Sequence, residues 1–122
     1  MKKTGLIYLA SPYTDSDPAV MEKRFQVVNK VAAELMKQGY LIFSPISHTH
    51  PIAVAGGLPR GWEFWARYDR CILRACIGLM VLKQSGWEES KGVRAELKLA
   101  AEMKLSIEYC DYCIGEIVNH KQ

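Results

Sequence analysis

Apolar and polar positions along this chain follow two repeats, short continuous apolar runs and longer stretches with helical spacing. The runs Gly5–Ala10 (GLIYLA), Tyr40–Phe43, Cys76–Leu82 and Leu105–Tyr109 are short and bounded by turn residues, and read as strands. Between the first two, Phe25, Val28, Val31, Ala32, Leu35 and Met36 form the apolar stripe of a helix. It begins at an Asp17 cap with Pro18 in the first turn, runs to about Gln38 and stops at Gly39. Helical spacing also covers Gly61–Ala75 and Ser90–Met103, the latter opened by a Ser90 cap and striped by Val93, Leu97, Ala100 and Ala101. Residues 46 to 60 (ISHTHPIAVAGGLPR) read as a long irregular loop, residues 84 to 89 as a connector, and Tyr112–Val118 as a short final helix.

Strands that alternate with helices predict an α/β chain, a three-layer sandwich. Its core is an open parallel sheet of four or five strands, flavodoxin- or Rossmann-like, with helices on both faces. All strand C-terminal ends then meet at one rim, where open α/β sheets bind ligands. That rim collects Ser11 to Thr14, Ser44 to His50 and Ser85 to Ser90.

Composition narrows the possibilities. At 122 residues the chain is expected to be a single domain, residues 1 to 122. Sixteen Lys and Arg are scattered among thirteen acidic residues, a formal charge of +3, so no basic stripe for a nucleic-acid polymer forms. A small anion suits this balance. No apolar run approaches a membrane span, and the N-terminus lacks a signal-peptide pattern. The expected compartment is the cytoplasm, where the four cysteines stay reduced. Cys110 and Cys113 have CxxC spacing, but a zinc site needs a second ligand pair and only His120 is near in sequence.

The residue with the strongest chemical signal is Glu96. At about 100° per residue it lies roughly 60° off its helix's apolar stripe, one turn beyond the rim. Gly92 leaves the backbone open to close approach, and Ser90 caps the helix. Trp62, Trp65 and Asp69 are spaced three and four apart and share one helical face. Two indoles beside a carboxylate suit a planar base. The alternative is packing under the loop, with Asp69 paired to Arg67 or Arg70. Ser11-Pro12-Tyr13-Thr14 occupies the position of a phosphate loop but has neither a GxGxxG nor a GxxxxGK[ST] pattern. Small hydroxylated residues there, with Ser44 across the rim, suit a sugar or phosphate, with Arg24 as a source of charge. His48 and His50 form an HxH pair in the rim loop, candidates for a phosphate or hydroxyl contact, a general acid or a metal.

With these residues in place, the chain resembles the nucleoside 2-deoxyribosyltransferase-like superfamily. The matching pieces are Ile7-Tyr8-Leu9-Ala10-Ser11-Pro12, Phe43-Ser44-Pro45, Asp69, and Ser90-x-Gly92-Val93-x-x-Glu96-x-x-x-Ala100. Together they span roughly residues 5 to 109. The segments SPxSHxHPI and GWEESKGV are also similar to an uncharacterised bacterial and phage family, the DUF1937 type. The superfamily resemblance implies Glu96 as the nucleophile at the anomeric carbon, Asp69 as the acid near the departing base and Tyr8 as their neighbour. It also implies Ser90 at the 5' phosphate or hydroxyl, and a homo-oligomer, dimer or tetramer. Two departures stand out: Ala75-Cys76 replaces an Ala-Asp pair, and the first turn, Ser11-Pro12-Tyr13, is not glycine-rich.

The expected function is cleavage or transfer of the N-glycosidic bond of a 2'-deoxynucleoside or its 5'-monophosphate, without cofactor or metal. Catalysis falls to Glu96, Asp69 and Tyr8. Binding falls to Ser11, Tyr13, Ser44, His48, His50, Trp62, Trp65, Ser90 and Gly92. Two alternatives carry different expectations: a nucleotide-binding module without turnover, and a metal-dependent hydrolase built on His48, His50 and Asp69.

Overall fold

The computed structural model describes residues 1–113 and 116–121, with side chains as far as residue 111. Five strands form one sheet: β1 (Leu6–Ala10), β2 (Leu41–Phe43), β3 (Gly78–Leu82), β4 (Ser106–Cys113) and β5 (Glu116–Lys121). Their spatial order is β2-β1-β3-β4-β5. The first four run parallel, and β5 pairs antiparallel with β4 at the edge. Among the described residues four helices complete the order: α1 (Pro18–Lys37), α2 (Pro45–Gly56), α3 (Trp62–Arg74) and α4 (Lys91–Glu102).

Side-chain alternation sorts the strands into two cores. Ile7 and Leu9 of β1, with Met80 and Leu82 of β3, face one side, where α1 supplies Val28, Val31 and Leu35 and α2 supplies Ile46. Tyr8 and Ala10, with Leu79 and Val81, face the other, where α3 supplies Leu73 and α4 supplies Val93 and Ala100. The expected three-layer α/β sandwich with a parallel sheet is therefore the fold. β1 and β3 are buried throughout except Leu6, as strands covered on both faces must be. None of the described helices is long and apolar enough to cross a membrane.

Helices α1 and α4 begin as their caps dictate. The Asp17 side chain accepts from the Ala19 N–H at 2.9 Å, and Pro18 takes the first turn of α1. The Ser90 hydroxyl accepts from the Val93 N–H at 3.2 Å and starts α4.

Two expectations fail. The segment predicted as a loop over 46 to 60 is helical from Pro45 to Gly56. Its boundaries obey ordinary rules: Ser44 caps the N-terminus, Pro45 sits in the first turn, and Gly57 ends the helix at φ +64°. Pro51 lies inside the helix and removes one backbone donor, which is why the segment reads as broken. Its apolar positions also fail to make a stripe, because Ile46 and Ala53 are buried while Ile52 and Val54 are exposed. The second correction concerns Tyr112–Val118, predicted as a helix. Tyr112 and Cys113 instead close β4, and Glu116 to Val118 open the antiparallel β5; Ile114 and Gly115 lie outside the described residues. Leu105–Tyr109 supplies only the first part of β4, and the partner β5 is what extends the rest.

Candidate functional site

The order β2-β1-β3-β4-β5 reverses direction between β1 and β3. The chain leaves β1 toward β2 on one side and returns to add β3 on the other, so the loops at the C-terminal ends of β1 and β3 diverge and open a crevice. A cleft of about 340 Å³ lies there. Its size falls within the range of small-molecule sites. Ser11, Tyr13 and Thr14 follow β1; Pro45, Ile46 and Thr49 come from the first turns of α2; Arg60, Trp62, Glu63, Trp65 and Asp69 come from α3 and its approach; Glu89, Ser90, Lys91, Gly92 and Glu96 come from α4 and its approach.

Two carboxyl groups line this cleft while being almost wholly buried, Asp69 at 8% and Glu96 at 5% exposure. The Tyr8 side chain rises from the middle of β1, and its hydroxyl donates to Glu96 Oε2. Tyr8 is fully buried beneath the cleft and supports it from below. Burial pushes the Asp69 carboxyl up to about 7, with the Tyr8 hydroxyl opposing the rise. Burial also pushes Glu96 up to about 8, the Tyr8 hydrogen bond opposing this and the nearby Asp69 adding to it. Tyr8 itself is held well above an ordinary phenol, first by burial and then by the charge of Glu96. Asp69 Oδ1 has no hydrogen-bond partner among the described residues. A buried, unpartnered carboxyl oxygen costs stability, and such groups cluster where chemistry needs them. The expected alternative, with Asp69 spent on Arg67 or Arg70, is not what the geometry shows.

Trp62, Trp65 and Asp69 share one face of α3 and all three line the cleft, as their spacing predicted. The Trp65 indole N–H donates to the Pro59 carbonyl at 2.7 Å, which fixes its ring. Trp62 lies over Gly92: a methyl added there would meet Trp62 Cε3 at 3.9 Å, ordinary contact, so Gly92 leaves space without being forced by a clash. Lys91 pairs with Glu63 across the mouth, both exposed. Exposed pairs of this kind contribute little stability.

The loops are tied together behind the cleft. The Gln84 amide donates to the Ser11 hydroxyl at 2.7 Å. Arg24 donates to the carbonyls of Tyr13, Thr14 and Ser85 at 3.3, 3.0 and 3.3 Å. Arg24 therefore joins the β1 loop to the β3 loop, where charge donation to a ligand was the expectation. Gly86 beside it sits at φ +93°, a backbone conformation that L side chains rarely adopt.

Three expected binding residues do not line the cleft. Ser44 is buried as the α2 cap, accepting from the Ser47 N–H at 3.3 Å. His48 is exposed, its Nε2 2.9 Å from the Tyr68 hydroxyl. His50 is buried behind Tyr13, whose hydroxyl bonds its Nδ1. The HxH pair sits two residues apart on a helix, so its rings point about 160° apart. The metal reading needed a loop to bring them together with Asp69. No group of three or more potential ligands converges among the described residues. Cys110 belongs to a buried strand position with its thiol pushed up to about 12 by burial, far from a reactive CxxC at a helix start. Cys76 donates to the Ile72 carbonyl at 3.4 Å, and burial raises its thiol to about 11.

The sequence reading put Pro45, Ile46 and Thr49 in a rim segment without naming them as site residues, and it did not name Arg60, Glu63 or Lys91. The signal for the first three was present: a helix started at Ser44-Pro45 puts residues 45, 46 and 49 on one face. Arg60 had no such signal. It is placed by the Thr14 hydroxyl, which donates to its carbonyl at 2.9 Å.

No functionally curated protein matches this chain. A family model described as Domain of unknown function (DUF1937) matches residues 5–111, a span that includes every residue lining the cleft, and the chain belongs to that family.

Proposed function

We propose that this protein cleaves or transfers the N-glycosidic bond of a 2'-deoxynucleoside or its 5'-monophosphate, with Glu96 as nucleophile and Asp69 as acid. The observation that carries this reading is the pair of buried carboxyl groups at the floor of an indole-lined cleft, with Tyr8 bonded to one of them. The deoxyribose comes from the resemblance of Ser90-x-Gly92-Val93-x-x-Glu96 and its companion segments.

Two adjacent carboxyls titrate as one system. Near neutral pH the pair releases one proton and keeps the other. The Tyr8 phenol has a single hydrogen to give and gives it to Glu96, which favours charge there. Burial raises both carboxyls, Asp69 to about 7 and Glu96 to about 8, so the two share the remaining proton; in the reactive form it lies on Asp69, where the departing base can take it. The free Glu96 oxygen then bonds to the anomeric carbon as the C–N bond breaks, and the bonding pair leaves with the base. Asp69 transfers its proton to the departing nitrogen. In the second step the Asp69 carboxylate takes a proton from water, or from an incoming base, as that acceptor displaces Glu96. This is the double displacement of retaining glycosidases. Trp62 and Trp65 supply the faces against which the base stacks.

A second reading, a nucleotide-binding module without turnover, is favoured by Cys76. A thiol held protonated stands where the superfamily pattern has a carboxylate.

Chromatographic detection of free base, from a panel of deoxynucleosides and their monophosphates, separates the two readings. The wild type should release base. Glu96→Gln should release it at least about 10³-fold more slowly while melting cooperatively. Equal rates in both proteins would remove Glu96 from the chemistry. No release from any substrate, with nucleotides still raising the melting temperature, would establish the binding module.

A further inference from the structure

Behind Tyr13 lies an arrangement that the two-carboxyl chemistry does not use. The Tyr13 hydroxyl bonds His50 Nδ1. On the far side of the ring, His50 Nε2 is 3.3 Å from the Glu22 carboxylate. The imidazole is 7% exposed. Its plane is fixed by Phe25, stacked at 4.3 Å between centroids, and by the Tyr13 ring edge-on at 5.4 Å. Three elements therefore aim one hydroxyl: α1 brings Glu22 and Phe25, α2 brings His50, and the β1 loop brings Tyr13.

We propose that Glu22 and His50 fix the Tyr13 hydroxyl as a hydrogen-bond acceptor toward the cleft, so that the ligand must present an uncharged donor, a sugar hydroxyl, at that wall. The ligand class rests on the nucleoside reading above; the fixed polarity of Tyr13 does not. A neutral imidazole carries one N–H. In that neutral form, beside a carboxylate that accepts, the hydrogen sits on Nε2, facing Glu22. Nδ1 is then an acceptor, and the Tyr13 hydrogen turns inward to it. What Tyr13 has left for the cleft is lone-pair density. A hydroxyl meets it with a hydrogen. An ether oxygen meets it with another lone pair and is disfavoured. Tyr13 and His50 are thereby positioning and specificity residues on the wall opposite the carboxyls.

Two measurements test this. The first needs no ligand. In ¹⁵N-histidine spectra, assigned with His48→Gln and His120→Gln, His50 should carry its hydrogen on Nε2. In Glu22→Gln, whose exposed site tolerates the change, the new amide can donate to Nε2 and the hydrogen should move to Nδ1. A wild-type hydrogen on Nδ1, or an unmoved one in the variant, would overturn the proposal. The second uses 2'-deoxyadenosine and its 3'-O-methyl and 5'-O-methyl ethers, with dissociation constants measured in the Glu96→Gln protein to prevent turnover. One ether should bind about tenfold more weakly than the parent. Adding Glu22→Gln should bring that ratio close to one, because the Tyr13 hydrogen now points at the cleft and meets either oxygen. An unchanged ratio overturns the assignment of Tyr13 as a donor selector. Failure of all three compounds to bind overturns the nucleoside reading and the hydroxyl with it, while the spectra decide the Glu22–His50–Tyr13 polarity separately.

Discussion

The cleft has two walls, and they treat buried polar groups in opposite ways. On the α1/α2 side the buried Ser44 and His50 have partners, drawn from half-buried and exposed neighbours. The Ser47 hydroxyl donates to Asn29 Oδ1 at 2.5 Å, its backbone N–H reaches Ser44, and Tyr13, His50 and Glu22 follow one another in a row. On the α3/α4 side two carboxyls are buried with one phenol between them, and Asp69 Oδ1 has nothing. Both walls rest on the same sheet and have similarly packed cores beneath them. The difference lies in what each group is for. A satisfied network fixes geometry and stabilises the fold, whereas an unsatisfied carboxyl keeps a proton that it can give away.

The contrast breaks most visibly in turnover. Asp69→Asn keeps the shape of the α3/α4 wall but removes its transferable proton, so base release should fall about 10²- to 10⁴-fold. The loss should shrink for a deoxyribosyl substrate whose leaving group needs no protonation. A uniform loss across leaving groups would reassign Asp69 to positioning.

Trp62→Ala sharpens the same wall in binding. Stacking on a base is worth about 1–3 kcal/mol, so nucleoside affinity should drop roughly 10- to 100-fold by calorimetry. An effect under about threefold would show that the base lies elsewhere.

Stability against pH separates the walls without substrate. Asp69 and Glu96 hold their protons more tightly folded than unfolded, being raised to about 7 and about 8. Between about pH 4 and those values the folded state binds more protons than the unfolded one. Stability from these groups is therefore largest near pH 4 and declines as pH rises toward 8. From pH 5 to pH 8.5 the wild-type melting temperature should lose about 5 °C that Glu96→Gln retains. Parallel curves for the two proteins would mean that Glu96 is not charged at a cost.

The smallest effect belongs to the satisfied wall. Ser44→Ala removes a helix cap and should cost about 1 kcal/mol in chemical denaturation while changing the rate of base release less than about twofold. A rate loss of tenfold would place Ser44 back among the binding residues.

How much of this was legible depended on whether a signal was local. Asp17-Pro18, Ser90 and the stripe of α1 announce themselves within a few residues, and the structure starts α1 and α4 where they say. Trp62, Trp65 and Asp69 needed only helical spacing to be placed on one face. For α2 the local signals conflicted. The Ser44-Pro45 start and the Gly57 stop argued for a helix, Pro51 and a poor stripe argued against it, and packing of Ile46 and Ala53 settled the matter. Misplacing α2 also misplaced His48 and His50, because a loop could have converged the two rings and a helix turns them apart. The β4–β5 pairing was missed for a related reason: the strand character of residues 111 to 113 and 116 to 121 comes from pairing with each other.

By itself the sequence determined the parallel α/β order, the helix caps and the identity of Glu96 as a carboxylate near the buried edge of its helix. These follow from period and from local hydrogen bonding, which act over a few residues. Only the tertiary structure decided that Tyr8, Asp69 and Glu96 meet beneath one cleft, that Arg24 is spent on carbonyls, and that Glu22, His50 and Tyr13 line up behind the opposite wall. Each of those contacts joins elements far apart in the chain, and their partners are chosen by the crossing point between β1 and β3, where no local propensity acts.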